Sequence, residues 1–133
     1  MNEKTLKTLL GALFLLFCLV PYLYAETGLA SWYSSVDACG PKTNNHPGCP
    51  TADGSSLYKL EETHDLFAAS NNYALGTRLR VSNQANGQSV VVVTRDRGGF
   101  KKYGRVIDLG RDSFKRIAEP GKGVINVSIK EVL

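Results

Sequence analysis

From Thr77 to Ser82 apolar and charged residues alternate, with Leu79 and Val81 on one side and Arg78 and Arg80 on the other. Successive side chains of a strand point to opposite faces, so this period of two predicts a strand with one buried face. Val90–Val93 is β-branched at every position, which suits a pleated, half-buried surface. Asn86-Gly87 lies between these runs and predicts a hairpin closed by a type I′ turn. Ile125, Val127 and Ile129 alternate with Asn126, Ser128 and Lys130 to give a last strand. Leu29–Ser34 and Arg105–Leu109 are further short strands, and a helix is expected from about Asp112 to Glu119, ended by Pro120-Gly121. Leu60–Ala69 is ambiguous, because Glu61, Glu62 and Asp65 fit one helical turn or two. The Gly-, Pro-, Asn- and Cys-rich stretch Val36–Ser56 reads as an irregular loop. The pattern is mainly β, about six short strands with one or two short helices, and suggests a small closed barrel with no free sheet edge.

The first 25 residues follow another pattern. Lys4 and Lys7 precede the uncharged run Leu9–Val20, then Pro21 and Leu23-Tyr24-Ala25, which predicts a signal peptide over 1–25. The uncharged stretch Thr8–Ala25 sits at the short limit for a bilayer span, so an uncleaved anchor stays open and is the only membrane contact expected. Cys18 invites lipidation, but bulky Phe17 precedes it where a small residue is wanted. Taking 25 residues from 133 leaves 108, room for one domain over 26–133 and none for a multi-domain cofactor enzyme, so no cofactor is expected.

The net charge is +4, and Lys4 and Lys7 against Glu3 leave about +3 on the domain. No Lys/Arg block accompanies it, so no nucleic-acid footprint is present. With Cys18 in the leader, the domain keeps Cys39 and Cys49, an even count that predicts a disulfide in an oxidising compartment. Its loop closure is worth about 3 kcal/mol in the chain-entropy model. The competing reading is a metal site of Cys39, His46, Cys49 and perhaps His64, whose spacing matches no common zinc pattern; no metal is expected.

Five short motifs occur in register along the domain: Ala30-Ser31-Trp32-Tyr33; Thr51-Ala52-Asp53-Gly54; Leu75-Gly76-Thr77 with Val81-Ser82-Asn83 and Asn86-Gly87; Asp96-Arg97-Gly98 with Phe100; and Gly104-Arg105-Val106-Ile107-Asp108-Leu109. Together they resemble the rare lipoprotein A (RlpA) family across essentially the whole domain. The resemblance implies a six-stranded double-psi β-barrel, shared with barwin-like proteins and the first domain of expansins. It also implies a life at the bacterial cell wall, with peptidoglycan glycan strands or another polysaccharide as partner; with the leader, a secreted or periplasmic location is expected, and the domain is expected to be a monomer. Active members are lytic transglycosylases. An acid protonates the leaving glycosidic oxygen and a base helps the muramyl 6-hydroxyl attack the anomeric carbon, giving a 1,6-anhydro sugar without water. The alternative is an expansin- or barwin-like module that binds or loosens polysaccharide without cutting it.

The family's catalytic groups are a Glu just after Thr-Ala-x-Gly, a His in Thr-Ala-Ala-His and the Asp of Asp-Arg-Gly. Only the last carries over, to Asp96. Ser55 stands at the Glu position. Ser70, in Phe67-Ala68-Ala69-Ser70 after about four inserted residues, stands at the His position. A positioned acid is worth roughly 10²–10⁴-fold in rate, so its loss is a severe defect unless Glu61 or Glu62 of the inserted region replaces it, and enzyme activity stays open; the other reading makes both solvated charges on a surface turn. Asp96, flanked by Arg95 and Arg97 whose charges would hold it ionised, is the candidate catalytic or glycan-orienting carboxylate, with turn capping as the other reading. Candidate glycan contacts are Trp32, Tyr33, Thr51, Asp53, Ser55, Ser70 and Arg97, with Tyr58 and Tyr73 as further aromatic walls. Aromatic faces stack on sugar rings, although Trp32 also suits a core and Asp53-Gly54 a plain turn. Asp108 is expected to be structural, paired with an Arg such as Arg97 or bonded to backbone. His46 and His64 read as exposed loop residues, and Gly99 stands where the family has Pro.

Overall fold

The computed structural model describes residues 2–7, 25–43 and 48–133. Most of the expected leader and His46 lie outside these residues. Six strands follow in order: β1 (Glu26–Tyr33), β2 (Phe67–Ala69), β3 (Arg78–Asn83), β4 (Ser89–Asp96), β5 (Arg105–Gly110) and β6 (Ile125–Glu131). Three short helices are interleaved, α1 (Ser35–Cys39), α2 (Leu57–Glu62) and α3 (Arg111–Lys115), with 3₁₀ turns at Phe100–Tyr103 and Pro120–Lys122. Among the described residues no helix is long and apolar enough to cross a membrane.

The strands close into a barrel in the order β1-β5-β2-β4-β3-β6. β1–β5 and β2–β4 are parallel pairs, and the other four contacts are antiparallel. Alternation fills the interior: Leu79, Val81, Val90, Val92, Ile107, Leu109, Val127 and Ile129 are buried, while their strand neighbours Arg78 and Arg80 face water. Phe114 of α3 and Ile117 just beyond it are fully buried against the same core. A smaller cluster of Leu57, Tyr58, Leu60 and Phe67 lies beneath the loop carrying Cys49.

Several local expectations change. The ambiguous stretch resolves into both elements, α2 and then β2, because all three β2 residues are buried and show no alternation. The hairpin turn is not type I′. Asn83 N–H bonds Gln88 O (2.8 Å) across a four-residue loop, and within it only Gly87 takes a positive φ, of 72°. Side chains close this loop: Asn83 Oδ1 accepts from Ala85 N (3.0 Å) and Asn86 Oδ1 from Gln88 N (2.9 Å). The expected helix over Asp112–Glu119 stops at Lys115, where the Asn83 and Asn86 amides take the Ile117 carbonyl (2.8 and 3.0 Å) in place of a further helical turn.

Cys39 and Cys49 are joined, with Cα atoms 6.0 Å apart. The bond uses both thiols and removes the Cys/His metal alternative. It also anchors α1, whose N-cap Ser34 accepts from Asp37 N and whose Ser35 N–H donates to Glu61 Oε1 (2.6 Å).

Candidate functional site

β2 is the centre of the site. Its last residue, Ala69, is in register with Asp96 of β4 on one side and Asp108 of β5 on the other. Neighbouring strands run about 4.8 Å apart, so the two aspartate backbones sit roughly 10 Å apart across one small side chain. Val90, Val92 and Thr94 point inward, and strict alternation would send Asp96 inward too. A register shift opposite Ala68/Ala69 breaks the period and leaves Asp96 half-buried at the barrel mouth, the re-aiming a β-bulge provides.

Both aspartates line a groove of about 420 Å³ with Tyr33, Arg97, Lys102, Tyr103 and Arg105. Phe100, 4% exposed, also lines it. Gly98 lies so close to this ring that a Cβ there would come within 2.6 Å of it, so only glycine lets the loop fold over it.

Three donors converge on Asp96. Oδ1 accepts from the N–H of Ala52 and of Arg97, both at 2.9 Å, and Oδ2 from the Tyr33 hydroxyl at 3.0 Å. Neither flanking guanidinium reaches it, contrary to expectation. Arg95 pairs with Asp53 (3.2 Å) and Asp65 (3.4 Å), and Arg97 donates to the carbonyls of Ser70 and Tyr73. Neutral donors hold Asp96 in place, and among the described residues it forms no ion pair with a side-chain cation.

Tyr33 stands edge-on to Phe67, ring centres 5.9 Å apart. Burial pushes its phenol well above the ordinary range, and the charge of Asp96, their hydrogen bond, Asp108 and Glu61 push the same way. It therefore stays protonated and donates to Asp96. Asp108 accepts from Ser31 Oγ and pairs with Arg105, not Arg97. Arg105 Nη2 donates to Oδ2 at 3.3 Å, and Nε approaches Oδ1 to 3.0 Å off the line of a hydrogen bond.

Thr51, Asp53 and Ser55 fold the loop that delivers Ala52 N–H to Asp96. Asp53 Oδ1 accepts from Thr51 Oγ1 (2.7 Å) and Ser55 N (2.9 Å). Burial pushes the Asp53 carboxyl upward, but the bonds from Thr51, Ser55 and Arg95 outweigh it and hold it at about 2. These three residues take the turn role and do not line the groove.

Other expected contacts are not brought together. Ser70 is 0% exposed: its N–H bonds Asp96 O (3.0 Å) and its Oγ accepts from Asn72 N (3.3 Å), so it offers no surface to a glycan. Tyr58 and Tyr73 are engaged elsewhere, bonding Gly40 O (3.0 Å) and Glu26 Oε2 (2.6 Å). Trp32 points away from Tyr33, as adjacent strand residues do. It packs on the core, donates to Pro120 O (2.9 Å), and lines a second depression of about 480 Å³ with Glu61, His64, Arg111 and Asp112. Glu61 lies in that depression and is no solvated charge, since Ser35 N and Oγ both donate to it. His64 is exposed as expected, with Nδ1 2.8 Å from Asp112 Oδ2.

Sequence reasoning missed Tyr103, Lys102 and Arg105 as groove residues. Their signal was an aromatic set among Lys and Gly residues between the two aspartates.

A family model described as lytic transglycolase matches residues 25–129. An endolytic peptidoglycan transglycosylase RlpA of Rickettsia typhi is 33% identical over 110 residues, covering 83% of this chain and 31% of that protein. A probable enzyme of the same name from Synechocystis is 40% identical over 102 residues, covering 77% and 27%. The chain thus spans about a third of the length of these relatives. Among solved structures, a Clavibacter michiganensis expansin in complex with cellohexaose aligns with TM-score 0.56 and 18% identity, over 82% of this chain and half of the other. A Streptomyces papain inhibitor aligns with TM-score 0.55 and 21% identity, over 83% and 97%. At such identities these structures speak for the fold alone, which carries unrelated functions. Motifs, barrel topology and family match agree: the chain belongs to the lytic transglycolase family, an RlpA-like double-psi β-barrel.

Proposed function

We propose that the Asp96 groove binds peptidoglycan glycan strands outside the cytoplasm and cleaves them poorly, because it holds a base without its acid. The carrying observation is the hydrogen-bonding of Asp96, on which every neighbour donates. Support also comes from relatives named as peptidoglycan transglycosylases and from an expansin with this fold in complex with cellohexaose.

Cleavage would break the C1–O bond of a muramyl unit while its 6-hydroxyl oxygen bonds C1. The hydroxyl proton would go to a base and a second proton to the leaving oxygen. Asp96, fixed by Tyr33, Ala52 and Arg97, suits the first task. For the second the groove offers no free carboxylic acid: the Tyr33 phenol is committed to Asp96 and burial retains its proton, and the Tyr103 phenol and Lys102 ammonium are far weaker acids. Asp108 is engaged as an acceptor by Ser31 and Arg105, and Ser55 is far less acidic than the carboxylic acid it replaces. Losing a positioned acid costs roughly 10²–10⁴-fold, whereas binding needs only the groove, its aromatic ring and its hydrogen-bonding groups.

The test is co-sedimentation with purified peptidoglycan, followed by mass analysis of the released glycans. Retention in the pellet with few 1,6-anhydromuramyl ends is expected. A protein that stays in solution, with its fold verified, overturns the proposal.

A further inference from the structure

A third depression, of about 680 Å³, lies between the β3–β4 loop and the segment that runs from α3 into β6. It is far from the Asp96 groove. β4 starts at Ser89 beside that loop and ends at Asp96, and a rise of about 3.4 Å per residue puts the two ends roughly 23 Å apart. The two walls of the depression are tied together. The Asn83 and Asn86 amides both bond Ile117 O (2.8 and 3.0 Å), and Gln84 N–H donates to Asn126 O (3.0 Å). The 3₁₀ turn at Pro120–Lys122 is closed by Lys122 N–H on Glu119 O and Gly123 N–H on Pro120 O, both at 3.0 Å. Trp32 also donates to that Pro120 carbonyl (2.9 Å).

The rim is uncommitted by contrast. Gln84, Asn126, Glu119 and Lys122 line the depression and are exposed, and their side chains make no hydrogen bond or ion pair with the described residues. Val124, 47% exposed, lines it with half-buried Ala118 and Ile125. A fixed frame therefore presents two amides, a carboxylate, an ammonium and an apolar patch, all free.

We infer that this depression binds a short peptide carrying both a free carboxylate and a free ammonium, the chemistry of the uncrosslinked peptide stems of peptidoglycan. Lys122 takes the carboxylate and Glu119 the ammonium, each by a charge-assisted hydrogen bond. The Gln84 and Asn126 amides bond peptide N–H and C=O groups, and an apolar side chain covers Val124. A glycan strand fits less well: its acetylated amines offer Glu119 no cation, and no aromatic ring lines the depression for a sugar to stack on. The inference goes beyond the proposed function and shares with it only peptidoglycan as the partner. The two sites lie at opposite ends of the barrel, so one domain can hold a glycan strand and the peptide of a neighbouring strand together.

The experiment titrates the full chain with free stem peptide released from peptidoglycan, followed by amide chemical shifts. Control probes are the same peptide acetylated on its amines, the same peptide amidated on its carboxylates, and an all-L peptide of equal composition. Stem peptide should shift the Gln84 and Asn126 side-chain amides and leave Gly98 and Gly99 beside Asp96 unmoved. Lys122→Gln and Glu119→Gln should each weaken it by roughly threefold, the size of a solvent-exposed charge contact. Lys122→Gln should also abolish the penalty for amidation, and Glu119→Gln the penalty for acetylation. Melting temperatures should not move, since both side chains are exposed. No shift at Gln84 and Asn126 in wild type, or equal affinity for all the blocked peptides, overturns the site. Equal or tighter binding of the all-L peptide overturns the wall peptide as its occupant. Asp96→Asn should bind stem peptide as wild type does, so failure of this site and failure of the glycan groove are read separately.

Discussion

Two depressions flank α1, and they handle charge in opposite ways. In the Trp32 depression Asp112 lies against His64, Asp65 pairs with Arg95 and the Trp32 ring lies under Arg111, while Glu61 is held by neutral donors, the N–H and hydroxyl of Ser35. In the Asp96 groove the central carboxylate is held by a phenol and two backbone N–H groups, and Lys102 lies on an exposed aromatic ring. Groups satisfied by opposite charges stabilise a fold but leave little for a ligand. Groups fixed by neutral donors keep their charge available. The first depression is a buttress and the second the proposed site, although the sequence sets Trp32 and Tyr33 side by side.

The sharpest way to break this contrast is to change one residue in each. Trp32→Ala should cost about 3 kcal/mol in stability, as loss of a large packed side chain does, and leave glycan affinity of the folded protein unchanged. Asp96→Asn should weaken glycan binding by roughly tenfold and move the melting temperature little, because an amide oxygen can still accept from Ala52 and Arg97. Calorimetry paired with pelleting assays separates the two. A Trp32→Ala protein that melts normally and binds weakly would erase the distinction. Comparable in stability is the disulfide holding α1 between the depressions. Reduction should remove about 3 kcal/mol, and an unchanged melting temperature would contradict its role.

A smaller effect belongs to the turn beside the groove. The Asp53 carboxyl falls from its ordinary 3.8 to about 2 in the folded protein. Its contribution to stability is therefore complete above pH 4 and is lost as pH falls from about 4 towards 2. Thermal melts across this window should decline less steeply for Asp53→Asn than for wild type. Identical slopes would show that the Thr51–Ser55 turn does not depend on that charge.

The strands with one wet face were legible, because alternation at Leu79, Val81, Val127 and Ile129 records burial directly. β2 was not: Phe67, Ala68 and Ala69 are buried on both sides, and a short uniform run fits a helix as well as a strand. The fold was otherwise readable through the family resemblance. Asp96 was legible as a motif residue, but its partners were not. Tyr33 and Ala52 reach it across 63 and 44 positions of chain, and a backbone N–H carries no side-chain signature. Ser70 shows the reverse limit. Its alignment to a catalytic position was visible, whereas its full burial directly after β2, with its N–H bonded to Asp96 O, depends on the distant strand β4, which no local pattern encodes.

The most direct measurement is the yield of 1,6-anhydromuramyl ends from peptide-free strands treated with wild type and with Ser55→Glu. Ser55 lies three residues beyond Ala52 in the turn that bonds Asp96 and outside the groove lining, so Ser55→Glu tests whether a longer carboxylic acid reaching in from that turn supplies the missing acid. Wild type should give few ends and Ser55→Glu at least about tenfold more, the lower part of what a positioned acid contributes. Abundant ends from wild type, with no gain in Ser55→Glu, would contradict a groove that holds a base without its acid.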